Sequence, residues 1–421
     1  MSHMPLLLLQ LLVILVTARA CGLLLRRFGQ PPVIGEMVAG VLLGPIVLGA
    51  WLPDLHVGLF APESLPALTS LSTLGLVLFM FIVGAELRAP DGVRAQARAA
   101  GRVGLLGMFV PFAMALAIAP LLYPALAPTG VGFWPFALFV AASMSITAFP
   151  VLARILKDRG MTQGRIGQLA LGAAAFADVV TWILLAVIVA LGEAGSGHAQ
   201  FLKTTLGLVV LAAVVMGGLR PLYAWLLRRH PLDGANSTPS FAAILSGLLA
   251  CAAATEWLGL HAVFGAFLFG ACLPRDNRML AWLIERIEAV AIVLLMPIFF
   301  ALTGLGTTAD AFSGAGLGAM ALILAVAVLG KVTGSAFGAR LSGFDWRDSL
   351  ATGSLMNARG LMELIVLKVG LDAGIIGPAL FTMLLAMAIL TTLMTGPLLA
   401  LFARRAPEHA GATGTAADNR H

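Results

Sequence analysis

Four ionisable residues stand deep inside stretches that are otherwise apolar: Asp178, Lys331, Arg359 and Glu363. A charged side chain at the centre of a membrane helix costs roughly 2.5–3.5 kcal/mol on insertion scales, so each needs a partner or a task. Asp178 follows the small residues Ala173-Ala174-Ala175-Phe176-Ala177, which let a neighbouring helix come close. Out of water, its carboxyl group holds a proton or, ionised, offers anionic oxygens to a hard monovalent cation. A site that takes one or the other, never both, is the minimal machinery for exchanging them. The structural alternative is an ion pair with Lys331 that holds two helices together. Arg359 and Glu363 are four apart on one helix face and can neutralise each other, so bracing is their better reading.

Two polar runs lie close to these residues. One is Ser143-Met144-Ser145-Ile146-Thr147-Ala148-Phe149-Pro150, and the other is Gly353-Ser354-Leu355-Met356-Asn357-Ala358-Arg359-Gly360. Helices interrupted at Pro150, and at Asn357 to Gly360, free backbone carbonyls that ligate ions where they line a cavity. Ser145 and Thr147 would add oxygens near the first break. Together with Asp178 they form the candidate site for Na+ or K+ and for the proton, with Lys331, Arg359 and Glu363 balancing charge. Glu36, Glu86, Lys368 and Arg19 sit nearer span ends, where the long cations can snorkel.

The elements that must position these groups are membrane helices. Of 421 residues, 60% are hydrophobic and only 11% charged, against roughly 25% charged in soluble domains. Mean hydropathy is +0.99. This balance excludes a soluble enzyme, a disordered scaffold and, despite a net charge of +6, a nucleic-acid binder. Apolar runs fall at 6–25, 33–52, 66–86, 103–127, 133–154, 167–192, 203–227, 239–258, 261–274, 284–305, 315–338, 348–370 and 375–402. The expectation is therefore an all-α polytopic membrane protein of about thirteen transmembrane helices. Cys21, Cys251 and Cys272 fall inside apolar runs and read as small buried hydrophobes. The histidines form no HExxH pattern, and there is no phosphate-binding GxxxxGK[ST] loop. No cofactor, no resident metal and no ATP-driven step are expected.

Basic residues orient the spans. With the N-terminus outside, 21 of the 26 Lys and Arg residues fall in inside loops, and only Lys203 falls outside. That partition predicts an external N-terminus, a cytoplasmic C-terminus and an odd span number in the cell inner (plasma) membrane. The second and ninth spans echo each other, as Val33-Ile34-Gly35 to Gly40 and Pro45, and as Val263-Phe264-Gly265 to Gly270 and Pro274. They start on opposite sides, as two inverted repeats require.

Five stretches resemble the monovalent cation:proton antiporters of the Kef, NapA and plant cation/proton exchanger branch. They are Pro31 to Glu36 with Leu43-Gly44-Pro45; Phe81 to Leu87; Ser145 to Arg154; Gly330-Lys331 through Arg340; and Met356 to Gly360 with Glu363-Leu364. The resemblance runs in order from about residue 6 to 402. It implies a Na+/H+ exchanger-like fold with two crossed, unwound helices, and a homodimer in the lipid bilayer working by an elevator-like motion. It implies scaffold helices at 1–100 and 233–308, mobile core helices at 101–195 and 309–404 and a linker helix at 196–232; the tail at 405–421, rich in Ala, Gly and Thr with few apolar residues, reads as disordered. The implied function is exchange of Na+ or K+ for H+; with one titrating carboxylate, charge balance makes that exchange one for one and electroneutral.

The sequence departs from that family at one position. Many members carry an acidic or amide residue immediately before the sixth-helix aspartate, and here that residue is Ala177. Alanine neither ligates a cation nor pairs with Lys331. The alternatives are a non-transporting sensor or receptor on the same fold, or an antiporter inactivated at Ala177. The nucleotide-binding regulatory domain of Kef proteins is not expected in this chain.

Overall fold

The computed structural model describes residues 3–86, 93–162, 164–192, 206–207, 209–229, 237–258, 262–274, 276–313 and 315–402. The expected tail at 405–421 and Lys203 lie outside the described residues, as does the Glu86 side chain. All regular elements among the described residues are helical. Nine helical stretches among them are long and apolar enough to cross a membrane, and Phe133–Ser145 and Ala262–Cys272 are shorter apolar helices.

The first half contains α1 (His3–Arg26), α2 (Pro32–Leu43), the short α3 (Leu48–Trp51) and α4 (Pro53–Leu59), and α5 (Leu65–Glu86). It continues with α6 (Val93–Leu126), α7 (Phe133–Ser145), α8 (Phe149–Asp158) and α9 (Arg165–Gly192). A π-helical turn, Val215–Leu219, leads into α10 (Arg220–Arg229). Then come α11 (Ser237–Trp257), α12 (Ala262–Cys272), α13 (Asn277–Glu288), a second π segment (Ala289–Leu295) and α14 (Met296–Leu305). The last four are α15 (Ala315–Leu341), α16 (Trp346–Met356), α17 (Leu361–Asp372) and α18 (Pro378–Phe402).

Three of the apolar runs prove to be interrupted. The run at 133–154 is α7, an extended link at 146–148, and α8. Pro150 has no amide to give to the carbonyl four residues back, which favours one helix ending and another starting here. The run at 348–370 is α16 and α17 around Asn357–Gly360. The run at 33–52 stops at Gly44, whose backbone is extended (ψ 177°).

Packing sorts the helices into two sets. In one, α1 lies on α2, α2 on α14, α5 on α12 and α14, and α11 on α12. In the other, α6 packs along α15, α7 and α9, and α16 packs against α15, α18 and α9. Contact between the sets runs largely through α2 against α18. Gly330, Gly334 and Gly338 form a stripe on α15 that admits the backbone of α6, a small-residue interface typical of membrane helices. The echoed glycines are also contact points. A Cβ on Gly35 or Gly265 would strike the backbone of the preceding helix, α1 or α11; one on Gly40 or Gly270 would strike α14 or α5.

Side-chain distribution is that of a chain solvated by hydrocarbon. Leu8, Leu12, Val16 and Leu23 stand exposed on α1, whereas Asp178, Lys331, Arg359 and Glu363 are at most 1% exposed. Apolar groups outside and charges inside is the arrangement a bilayer selects.

Candidate functional site

The two interruptions meet. The amide of Ala148 donates to the carbonyl of Ala358 at 3.2 Å, joining the break after α7 to the break after α16. A third helix holds the second break. The Arg359 amide donates to Thr392 Oγ1 at 2.8 Å, and the Asn357 side-chain amide donates to the Thr391 carbonyl at 3.0 Å, both on α18. Gly360 is needed at this crossing, since a Cβ there would come within 2.8 Å of Val151 Cγ2 on α8.

Two cations cap the end of α7. The Arg359 guanidinium donates to the carbonyls of Ser143 (3.1 Å) and Met144 (2.5 Å) and pairs with Glu363 at 3.3 Å. The Lys331 ammonium, arriving from α15, donates to the carbonyl of Ser145. The last carbonyls of a helix have no partner within it and carry the negative end of its dipole. Fully buried positive charge at that end is electrostatically consistent. Arg359, Glu363 and Asp178 are the ionisable neighbours of Lys331, so two basic and two acidic groups share this interior.

Asp178, on α9, faces the Lys331 charge and the backbone amide of Phe149 at the start of α8. It forms no ion pair with Lys331 and no hydrogen bond of full geometry: both carboxyl oxygens are buried without a partner. The structural alternative raised by the sequence, an Asp178–Lys331 pair tying two helices, is therefore corrected. The hydrogen bond the lysine does make goes to the α7 terminus. Thr147 Oγ1, in the first break and two residues from Phe149, is also buried and unpartnered, as are Asn357 Oδ1 and Glu363 Oε2. Buried polar atoms are nearly always satisfied. Carboxylate, hydroxyl and amide oxygens are the donor types that a small hard cation takes.

Ser145 is placed differently from Thr147: its hydroxyl donates back to the Ala141 carbonyl at 2.6 Å, leaving its oxygen lone pairs as its remaining capacity. Ala177 is buried beside Asp178 with no polar atom to offer. Pro150 is the second residue of α8, where a missing amide is tolerated. Sequence reading missed Thr181, whose buried hydroxyl lacks a partner. It lies three residues beyond Asp178, hence on the same helix face, and that spacing was the available signal. It also missed Thr392, which bears no mark in an apolar helix. Glu36 lies 3.8 Å from Arg19, and Arg19 donates to the Val293 carbonyl at 3.0 Å, so this pair braces α1 and α2.

Ionisable groups are buried at two joined helix breaks in a fold of membrane-length helices, and the relatives of this chain are secondary transporters rather than enzymes. The chain belongs to the sodium/hydrogen exchanger family, whose transmembrane model matches residues 12–405. It is 39% identical over 395 residues to the Na+/H+ antiporter NhaS4 of Synechocystis sp., covering 93% of this chain and 96% of that protein. It is 33% identical over 405 residues to K+/H+ antiporter 1 of Saccharomyces cerevisiae, where 94% of this chain spans 46% of the relative's length. Among solved structures, the sodium proton antiporter MjNhaP1 of Methanocaldococcus jannaschii superposes with a TM-score of 0.62, covering 96% of this chain and 98% of that one. At 14% identity this last likeness concerns the fold.

Proposed function

We propose that the protein exchanges Na+ or K+ for H+ at Asp178. The observation that carries this reading is that both carboxyl oxygens are buried and unpartnered beside the joined breaks. In the proton-loaded form the Asp178 carboxyl is neutral. In the cation-loaded form its carboxylate holds one cation, with Thr147 and the α7–α8 break contributing oxygens and Asn357 and Ser145 nearby. Lys331 and Arg359 remain charged on the α7 carbonyls in both forms, and Glu363 remains the counter-charge of Arg359. The loaded site then carries the same charge either way, so exchange is one for one and electroneutral. Ala177 fits this simple stoichiometry, since Asp178 is the one acidic residue in α9.

The carrier works, on this reading, as a homodimer of about thirteen-helix protomers in the plasma membrane, N-terminus outside and C-terminus cytoplasmic. The set built on α2, α5, α12 and α14 (within 1–100 and 233–308) is the scaffold; the set built on α6–α9 and α15–α18 (largely within 101–195 and 309–404, with α6 starting at Val93) moves past it. The sparse contact between the sets supports such an elevator. Support for inverted repeats comes from the paired glycines, since α2 meets α1 and α14 as α12 meets α11 and α5. A sensor on this fold, or an exchanger silenced at Ala177, is not favoured beside relatives named as antiporters.

Proteoliposomes with a trapped pH dye test the proposal. An outward Na+ or K+ gradient should acidify the lumen, and reversing the gradient should alkalinise it. A lumen that ignores both gradients would leave the sensor reading standing.

A further inference from the structure

A cavity of about 510 Å3 opens between the α1–α2 connection and the ends of α8 and α18; Arg26, Gln30, Arg159, Thr392 and Gly396 are among its walls. Arg26 ends α1 and Arg159 follows α8. The Arg159 guanidinium is seated on α18: a Cβ on Gly396 would come within 2.8 Å of its Nη2. Gln30 fastens the other wall to the same helix, its amide donating to the Leu393 carbonyl at 3.4 Å. Among the described residues neither arginine has a carboxylate partner, and no acidic residue lines the cavity. Such walls repel the transported cation. They are suited to the opposite charge.

We propose that this cavity binds a phosphate-bearing anion that bridges Arg26 and Arg159. Guanidinium groups match phosphate oxygens in a bidentate fork, and basic pockets between membrane helices recognise anionic headgroups. One phosphate held by both arginines links α1–α2, in one helix set, to α8 and α18 in the other. Its floor, Thr392, also holds the Arg359 peptide at the second break. The bound anion therefore clamps the two sets together and slows exchange, a consequence that rests on the transport reading above; the binding itself does not.

Thermal unfolding of the purified full chain in neutral detergent tests the binding without reference to transport. The probes are inorganic phosphate, phosphatidylglycerol, and phosphatidylcholine as the zwitterionic control. The expected result is a rise of a few degrees with phosphatidylglycerol or inorganic phosphate over the control, lost in the Arg26→Gln/Arg159→Gln double variant and partly kept by Arg159→Lys. A rise with phosphatidylglycerol alone assigns a lipid headgroup, and a rise with inorganic phosphate assigns a soluble anion. No rise with either probe, or equal rises in wild type and double variant, overturns the site. Exchange measured in vesicles with and without phosphatidylglycerol then tests the clamp. Slower exchange in wild type but not in the double variant supports it, and equal rates despite a thermal shift overturn it.

Discussion

Ala148 and Ala358 share a backbone hydrogen bond of 3.2 Å although 210 residues separate them. Neither has a polar side chain, yet their contact is what turns two separate helix breaks into one site. Each break is then held from outside: the first by Lys331 and Arg359 on the α7 carbonyls, the second by Thr391 and Thr392 on α18.

Thr392 is the most exacting of these supports. Its hydroxyl accepts the Arg359 amide and sits 2.7 Å from the Arg359 carbonyl, to which it can donate. Thr392→Val keeps the shape and strands a buried amide, which costs about 1–3 kcal/mol. Thermal unfolding should show a clear drop for Thr392→Val and little change for Thr392→Ser. Equal midpoints for Val and wild type would mean the second break is held elsewhere.

How much of this was legible in the sequence follows the chemistry of side chains. The all-helical membrane class came from apolar runs separated by arginines. The breaks came from Ser143 to Pro150 and from Gly353 to Gly360, and Asp178 from its isolation in α9. The Arg359–Glu363 pair was readable from spacing and is present at 3.3 Å. What escaped was carried by backbone: the Ala148–Ala358 bond and the carbonyls that receive Lys331 and Arg359. Carbonyls are the same at every residue, so sequence shows Lys331 as a charge needing a partner without showing that the partner is the end of α7. For the same reason the sequence suggests an Asp178–Lys331 pair, whereas the lysine binds the Ser145 carbonyl.

Lys331 should therefore behave as a helix-terminus cap. Lys331→Ala removes the donor to the buried Ser145 carbonyl, at a cost of about 1–3 kcal/mol. Lys331→Gln, which still carries a donor, should lose less. The ranking of thermal midpoints, wild type above Gln above Ala, is the expected result; an alanine variant as stable as wild type would deny the lysine any structural part.

The unpartnered hydroxyls should tune affinity rather than abolish turnover. Thr147→Ala removes an oxygen from the first break, and Thr181→Val removes one from the Asp178 face of α9. Each should raise the apparent cation KM with little loss of kcat, the pattern of a removed uniform binding contact. Initial rates of proton flux across a cation series decide this, and an unchanged KM would remove that residue from the cation's surroundings.

On the proposed one-for-one exchange, charge counting predicts transport that is blind to voltage. A second proton carried by Lys331 would instead couple it to the potential, at about 2.3 kcal/mol per charge per 100 mV. On the proposal that the lysine keeps its charge in both loaded forms, a supported membrane should register no sustained cation-evoked current. A robust current that inverts with the gradient would require two protons per cation.

Asp178 carries the central claim, and removing its charge with the smallest change of shape tests it most directly. Asp178→Asn should insert and assemble as wild type does, while its proteoliposomes show no cation-dependent proton flux under either Na+ or K+ gradients. Flux at the wild-type rate in that variant would contradict the account, because exchange would then need no carboxylate at the joined breaks.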